Sequence, residues 1–196
     1  LGNLVLVRDE AGAETRLHYE SAAQPHYLTR IEDPLNRPVL RNVFDDSGRL
    51  KATCGVNGDV TTLAGCDITT YDLDAGMSSV TDVRGLRTDR FFDERGNVVV
   101  QRWIRISSEV LDTLYEYDEH DRLTRRTNPW GETWTMARDD RGRVTAMTDP
   151  LGHTDRWGYD ECDGWTTRTD ALGNVWSRTF NAACQLLTET DALGGV

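Results

Sequence analysis

Lysine is almost missing from this chain: Lys51 is the only one, and every other permanent cation is an arginine. Arginine brings a planar group that stacks and forks, so its partners are rings and carboxylates rather than point charges. A basic face is missing too. The 22 Lys and Arg face 33 Asp and Glu, for a net charge of -11. That excludes nucleic acid as an expected partner, because phosphate binding needs clustered cations. An anionic membrane surface is disfavoured for the same reason. No apolar run reaches 18 residues, so no transmembrane helix is encoded, and the opening "LGNLVLVRDE" lacks the charged and apolar regions of a signal peptide. The four cysteines, at 54, 66, 162 and 184, form no CxxC pair and give no zinc signature. Cys54 and Cys66 bracket a Gly-rich loop, which leaves two readings: a disulfide in an oxidising compartment, or free buried thiols. No segment combines a helical period with caps. Only 38% of the residues are hydrophobic, which suits half-exposed strands better than a thick two-layer core.

What is present is a repeat. Gly131, Gly152, Gly173 and Gly194 are 21 residues apart, as are Thr127, Thr148, Thr169 and Thr190. The apolar set Leu123, Val144, Trp165 and Leu186 keeps that period, and so does the slot Tyr117, Arg138, Tyr159, Phe180. Carried towards the N-terminus, the frame predicts eight units anchored at positions 19, 44, 71, 92, 117, 138, 159 and 180, with divergence or insertion near residues 52–70 and 103–114.

"TDPLGHTDRWGYDE", residues 148 to 161, shows one unit. Asp149-Pro150-Leu151-Gly152 suits a type I turn followed by a glycine at positive φ. His153 to Tyr159 then alternates, with Asp155, Trp157 and Tyr159 on one face. A second acidic, Gly-bearing turn, Asp160 to Gly164, closes the unit. Turn signals every 8 to 12 residues predict an all-β fold: an antiparallel meander of hairpins, about sixteen strands. The turn glycines singled out are Gly85, Gly96, Gly131, Gly142, Gly152, Gly173 and Gly194. Stacked hairpins are expected to set each residue beside its copy, giving an aromatic ladder of Tyr117, Trp134, Trp157, Tyr159, Trp176 and Phe180. Neighbouring aromatic and arginine side chains on a sheet contribute roughly 0.5–1 kcal/mol per pair.

Tyr-Asp, a turn glycine, Arg/Leu, then Thr-Asp-Pro-x-Gly at a 21-residue period resembles the YD repeat of the RHS family. "YDEHDRLTRRTNPWGETW", "DDRGRVTAMTDPLGHTDRWGYDE" and "TRTDALGNVWSRTF" are the best copies, and the resemblance runs over residues 1–196, most closely from 115. It implies a β-strip that spirals into a hollow shell. In bacterial polymorphic toxins, Tc toxin components and type VI secretion effectors such a shell encloses a C-terminal toxin domain, while animal teneurins use a related shell in adhesion. The implied partners are therefore the rest of the shell and an enclosed toxin. The implied location is that of a secreted or delivered effector made in the bacterial cytoplasm. No residues here match the family's N-terminal cap, its C-terminal aspartyl-protease core or a toxin domain, so the chain reads as a segment of a larger shell. Sixteen strands at about 4.8 Å make a strip roughly 75 Å long. A 100-residue cargo needs a girth on the order of 100 Å, so one such strip does not close around it.

Catalytic chemistry is not indicated. His18, His26, His120 and His153 sit in separate units with no nucleophile at triad spacing. The acidic turns match no calcium-binding loop, and Asp and Gly are what tight turns require in any case. The expectation is a non-enzymatic wall without metal or cofactor. The alternative is a carbohydrate-binding or adhesion module that uses the aromatic ladder.

Overall fold

A computed structural model describes residues 2–195. It contains seventeen strands and no helix among those residues, and every ladder is antiparallel. The eight anchored units account for the first sixteen strands, and the seventeenth opens the next hairpin.

Two compact units divide the chain: residues up to Phe91 with Gln101–Leu111, and Phe92–Val100 with Asp112 onward. In the first, β1 (Leu6–Arg8), β2 (Glu14–His18), β3 (Arg30–Glu32), β4 (Pro38–Phe44), β5 (Leu50–Cys54), β6 (Cys66–Asp72), β7 (Met77–Thr81) and β8 (Arg87–Phe92) pair in chain order. β9 (Val98–Ile104) and β10 (Val110–Tyr117) contribute residues to both units. In the second, β10 pairs with β11 (Leu123–Thr127), followed in order by β12 (Thr133–Arg138), β13 (Val144–Thr148), β14 (Thr154–Tyr159), β15 (Trp165–Thr169), β16 (Val175–Phe180) and β17 (Leu186–Thr190).

The hairpin loops explain the repeat's Asp and Gly. At 149–153 the Asp149 N–H donates to the His153 carbonyl (2.9 Å) and the Gly152 N–H to the Asp149 carbonyl (3.1 Å). The Asp149 carboxylate accepts the N–H groups of Leu151 and His153, both at 2.9 Å. One side chain thus satisfies two loop donors that strands cannot reach. The same four-bond pattern recurs around Asp33, Asp45, Asp82, Asp93, Asp118, Asn128, Asp170, Asn181 and Asp191. The fourth loop residue takes a left-handed φ, at +86° for Gly152, which places a bulge at the loop's exit. Where glycine is absent, Asn36, Asp121 and Cys184 hold the same conformation at φ 57°, 60° and 57°.

A second bulge recurs at the aromatic slot. The register slips beside Phe44, Tyr117, Arg138, Tyr159 and Phe180 alike. Burial is sparse: among the described residues the buried hydrophobics are Ala52, Cys54, Cys66 and Cys162. Ala52, Cys54 and Cys66 form a small cluster with Val43, Leu63 and Ile68. Cys54 is disulfide-bonded to Cys66, closing the 55–65 loop, and Cys162 to Cys184, joining the loops of successive hairpins.

Candidate functional site

The sequence analysis expects each residue to lie beside its copy 21 positions away. The register differs. Trp157 lies opposite Arg168, which lies opposite Trp176, and Ala137 is level with Ala146 and Arg156. The lateral step between alternate strands is therefore 19 residues (157 to 176, 137 to 156). Each sequence repeat is offset from its neighbour by two residues, about 7 Å along the strand. Two is an even number, so the copies still share a face. Trp134, Asp155 and Trp176 consequently run diagonally over the sheet and are not side by side.

This offset interleaves rings with guanidinium groups. Arg126 covers Trp134 at 5.3 Å, Arg168 covers Trp176 at 5.1 Å, Arg143 covers Tyr159 at 4.5 Å and Arg178 covers Trp165 at 3.9 Å. Arg168 also donates to the Asp155 carboxylate at 2.9 Å, so one guanidinium ties together β14, β15 and β16. The arginines are not legible as a ladder from the period: Arg126 and Arg168 lie two repeats apart with Met147 between them, and Arg143 and Arg178 fall at other places in the frame.

The tyrosines of the slot act as struts. Tyr159 donates its hydroxyl to the Val144 carbonyl (2.8 Å), Tyr117 to that of Val98 (3.0 Å) and Tyr19 to that of Leu4 (3.1 Å). Arg138, the non-aromatic member, sends its guanidinium to the Leu123 carbonyl at 3.4 Å, the same position 15 residues back. The substitution keeps the donor and loses the ring. Phe180 has no donor, and its ring lies instead on Gly164, where an added Cβ would come within 2.5 Å of Cζ. The turn glycines Gly85, Gly96, Gly131, Gly142, Gly152, Gly173 and Gly194 all adopt φ between 82° and 90°.

Electrostatics follow the loops. Burial alone pushes the Asp118 carboxyl up, but the Arg122 N–H, the Arg122 guanidinium and the His120 N–H outweigh it and hold the group at about 2. For Asp45 the Arg49 N–H leads, and for Asp33 the Arg37 guanidinium, in holding the carboxyl low. Desolvation raises the hydroxyls of Tyr117 and Tyr159. The fifth loop residue supplies the countercharge or amide at Arg37, Arg49, Asn97, Arg122, Arg143, His153, Asn174 and Gln185. That position shows no single residue type, so the sequence frame passes over it.

A cavity of about 200 Å³ in the second unit is lined by Trp134, Met147, Asp149, His153, Asp155 and Trp157. In the first unit one of about 650 Å³ lies under the 20–28 loop, walled by Arg30, Arg41, Phe44 and Asp45 among others. The histidines are held separately: His18 by Glu32, His26 by Asn3, His153 by Asp149, and His120 near Glu119. None of these partners is a nucleophile. Ser79 and Asp89 do meet, buried and joined by Arg87. The hydroxyl donates to the Asp89 carboxylate and Arg87 donates to both, so the cluster ties β7 to β8. Among the described residues no three His, Cys, Asp or Glu side chains converge as metal ligands, and no helix is long and apolar enough to cross a membrane.

The RHS Repeat family matches residues 138–163. No curated protein matches the chain. In fold it is similar to a chain of the Photorhabdus luminescens Tc holotoxin pore with a mutated TccC3, at 12% identity and TM-score 0.55, over 95% of this chain and 12% of that one. It is also similar to TcdB2-TccC3 without its hypervariable C-terminal region, at 15% identity and TM-score 0.62, over 92% of this chain and 11% of that one. The chain thus spans about a ninth of the length of these solved chains. At such identities the likeness concerns the fold. Residues 138–163 thus match the RHS Repeat family, within a β-strip whose fold is that of these solved chains.

Proposed function

We propose that this chain is a stretch of wall in an RHS-repeat shell that encloses a toxin or other cargo domain and is secreted and delivered with it. The observation that carries the reading is the fold likeness to TcdB2-TccC3, a complex solved without its hypervariable C-terminal region. The mechanism is exclusion. Strands that pair in chain order leave no gap within a ladder, and loops whose donors are satisfied by their own Asp need no further partner. The wall is non-enzymatic and works by separating cargo from cytosol. Two disulfides suit a compartment outside the reducing cytosol. Type VI secretion is one route of delivery consistent with this role. The test is limited proteolysis of the complete gene product containing these residues. A downstream domain should resist protease until the repeat array is denatured. Cleavage of that domain at the rate of the isolated domain overturns the reading.

The small cavity between Trp134 and Trp157, with Asp149, His153 and Asp155 at its rim, favours a second reading, a sugar-binding adhesion surface. Two indoles beside carboxylates are what a pyranose ring needs for stacking and hydroxyl bonding. A glycan array probed with the chain and its Trp157→Ala variant decides this: binding lost in the variant supports adhesion, and no binding by either chain discards it.

A further inference from the structure

The two ends of the second unit's hairpins differ in chemistry. At one end, the loops 118–122, 139–143 and 160–164 carry charge, the loop 181–185 is polar and uncharged, and the loops engage one another. Arg95 pairs with Asp121, Arg141 with Asp163, and Cys162 is bonded to Cys184. At the other end, the loops 128–132, 149–153, 170–174 and 191–195 carry Trp130, Leu151, Leu172 and Leu193 at their third position. These side chains are 76%, 80%, 87% and 97% exposed. Leu35 holds the same place in the first unit's 33–37 loop and is exposed as well. The loop mechanism needs no apolar group there: the third residue contributes only its N–H to the Asp or Asn side chain. A bulky apolar residue therefore recurs in solvent at every turn of this end without a folding reason.

We propose that this end is a self-association surface, where the row Trp130, Leu151, Leu172, Leu193 of one chain seats against the same row of a second copy. The period argues for that occupant. Each apolar group lies two strands from the next, about 9.6 Å across and about 7 Å along the strand, hence roughly 12 Å apart, and a second, equally stepped row of these hairpin loops matches that spacing by construction. At the opposite end the same loop position holds His120, Arg141, Cys162 and Ala183, which form no matching row of bulky apolar groups. Like ends therefore meet about a two-fold axis, and head-to-tail stacking is excluded. The ionised carboxylates of Asp149, Asp170 and Asp191 accept N–H bonds from their own loops, and salt screens the remaining repulsion across the contact. At about 100 Å² per leucine and about 150 Å² for the tryptophan, each row offers roughly 450 Å². Two rows bury about 900 Å², just under the roughly 1,000 Å² of a stable interface. The free chain should accordingly form a weak, concentration-dependent dimer, and longer arrays should multiply the contact through additional loops.

Sedimentation equilibrium of the 196-residue chain over a range of concentrations tests this. The weight-average mass should rise from monomer towards dimer. The triple variant Leu151→Ser, Leu172→Ser, Leu193→Ser should move the midpoint by at least about tenfold, with an unchanged far-ultraviolet spectrum. The corresponding Leu→Met variant should still dimerise. A chain that stays monomeric throughout overturns the proposal. So does a dimer indifferent to the triple variant, which would point to strand-edge pairing. So, too, does a monomer whose apolar row binds phosphatidylcholine vesicles instead.

Discussion

Cutting the link between Cys162 and Cys184 is expected to destabilise the second unit by an amount that separates two contributions. The bond spans a sequence separation of 22. A closed loop of that size restricts the unfolded chain by about 11 cal/mol/K, or about 3 kcal/mol at 25 °C. Cys184 also occupies the left-handed loop position, at φ 57°, where most copies of the repeat have glycine. A residue with a Cβ there costs roughly 1 kcal/mol relative to glycine. The double variant Cys162→Ala, Cys184→Ala should therefore lose about 3 kcal/mol, and Cys162→Ala, Cys184→Gly only about 2 kcal/mol. Urea denaturation of all three proteins, with and without reductant, reads both quantities from the midpoints. Reductant also opens Cys54–Cys66 in all three proteins, so it should bring the parent close to the Ala variant measured in the same reductant. Equal midpoints for the Ala and Gly variants would refute the loop-conformation argument. A parent no more stable than the Ala variant under oxidising conditions would refute the cross-link's contribution.

Further outcomes follow from the struts, the loops and the buried cluster. Tyr159→Phe should cost about 1 kcal/mol in urea, the value of one hydrogen bond, and Tyr159→Arg should recover part of it because Arg138 already makes that bond. The loop carboxylates titrate lower in the folded chain than in the unfolded chain, Asp118 at about 2. Their contribution is full above the ordinary carboxylate range and is lost as pH falls from about 4 towards 2, so circular dichroism should show unfolding in that window. The raised hydroxyls of Tyr117 and Tyr159 act in the opposite sense: their contribution holds below pH 10 and is lost as pH rises beyond it. Asp89→Ala should cost about 1–3 kcal/mol, because it leaves the buried Ser79 hydroxyl without its acceptor while the half-exposed Arg87 turns to solvent. Thermal melts of the variant check this.

Much of the fold is legible in the sequence because one loop design is used repeatedly. Asp149, Gly152 and their copies sit where backbone donors and a left-handed residue are needed, so composition and spacing point to the same hairpins. The lateral register is not legible. It is set by paired bulges, such as those beside Tyr159 and Arg138, and these shift neighbouring repeats by two residues without altering the 21-residue period. That shift replaces a ladder of rings with rings alternating with Arg126, Arg143 and Arg168. The Cys162–Cys184 bond escaped notice for a related reason: its members lie in consecutive loops at unlike positions of the repeat, and only lateral stacking brings them together. The apolar end row of Leu151, Leu172 and Leu193 keeps the 21-residue period, but its exposure is not legible, because it depends on which loop groups the carboxylates capture.

The central claim is that these strands wall off a cargo. Cryo-electron microscopy of the complete gene product tests it most directly. The account predicts a continuous β-wall surrounding density for an enclosed domain, with the Trp134, Trp157 and Trp176 face assigned to inside or outside by inspection. An open sheet with no enclosed domain, and with that aromatic face free in solvent, would contradict it.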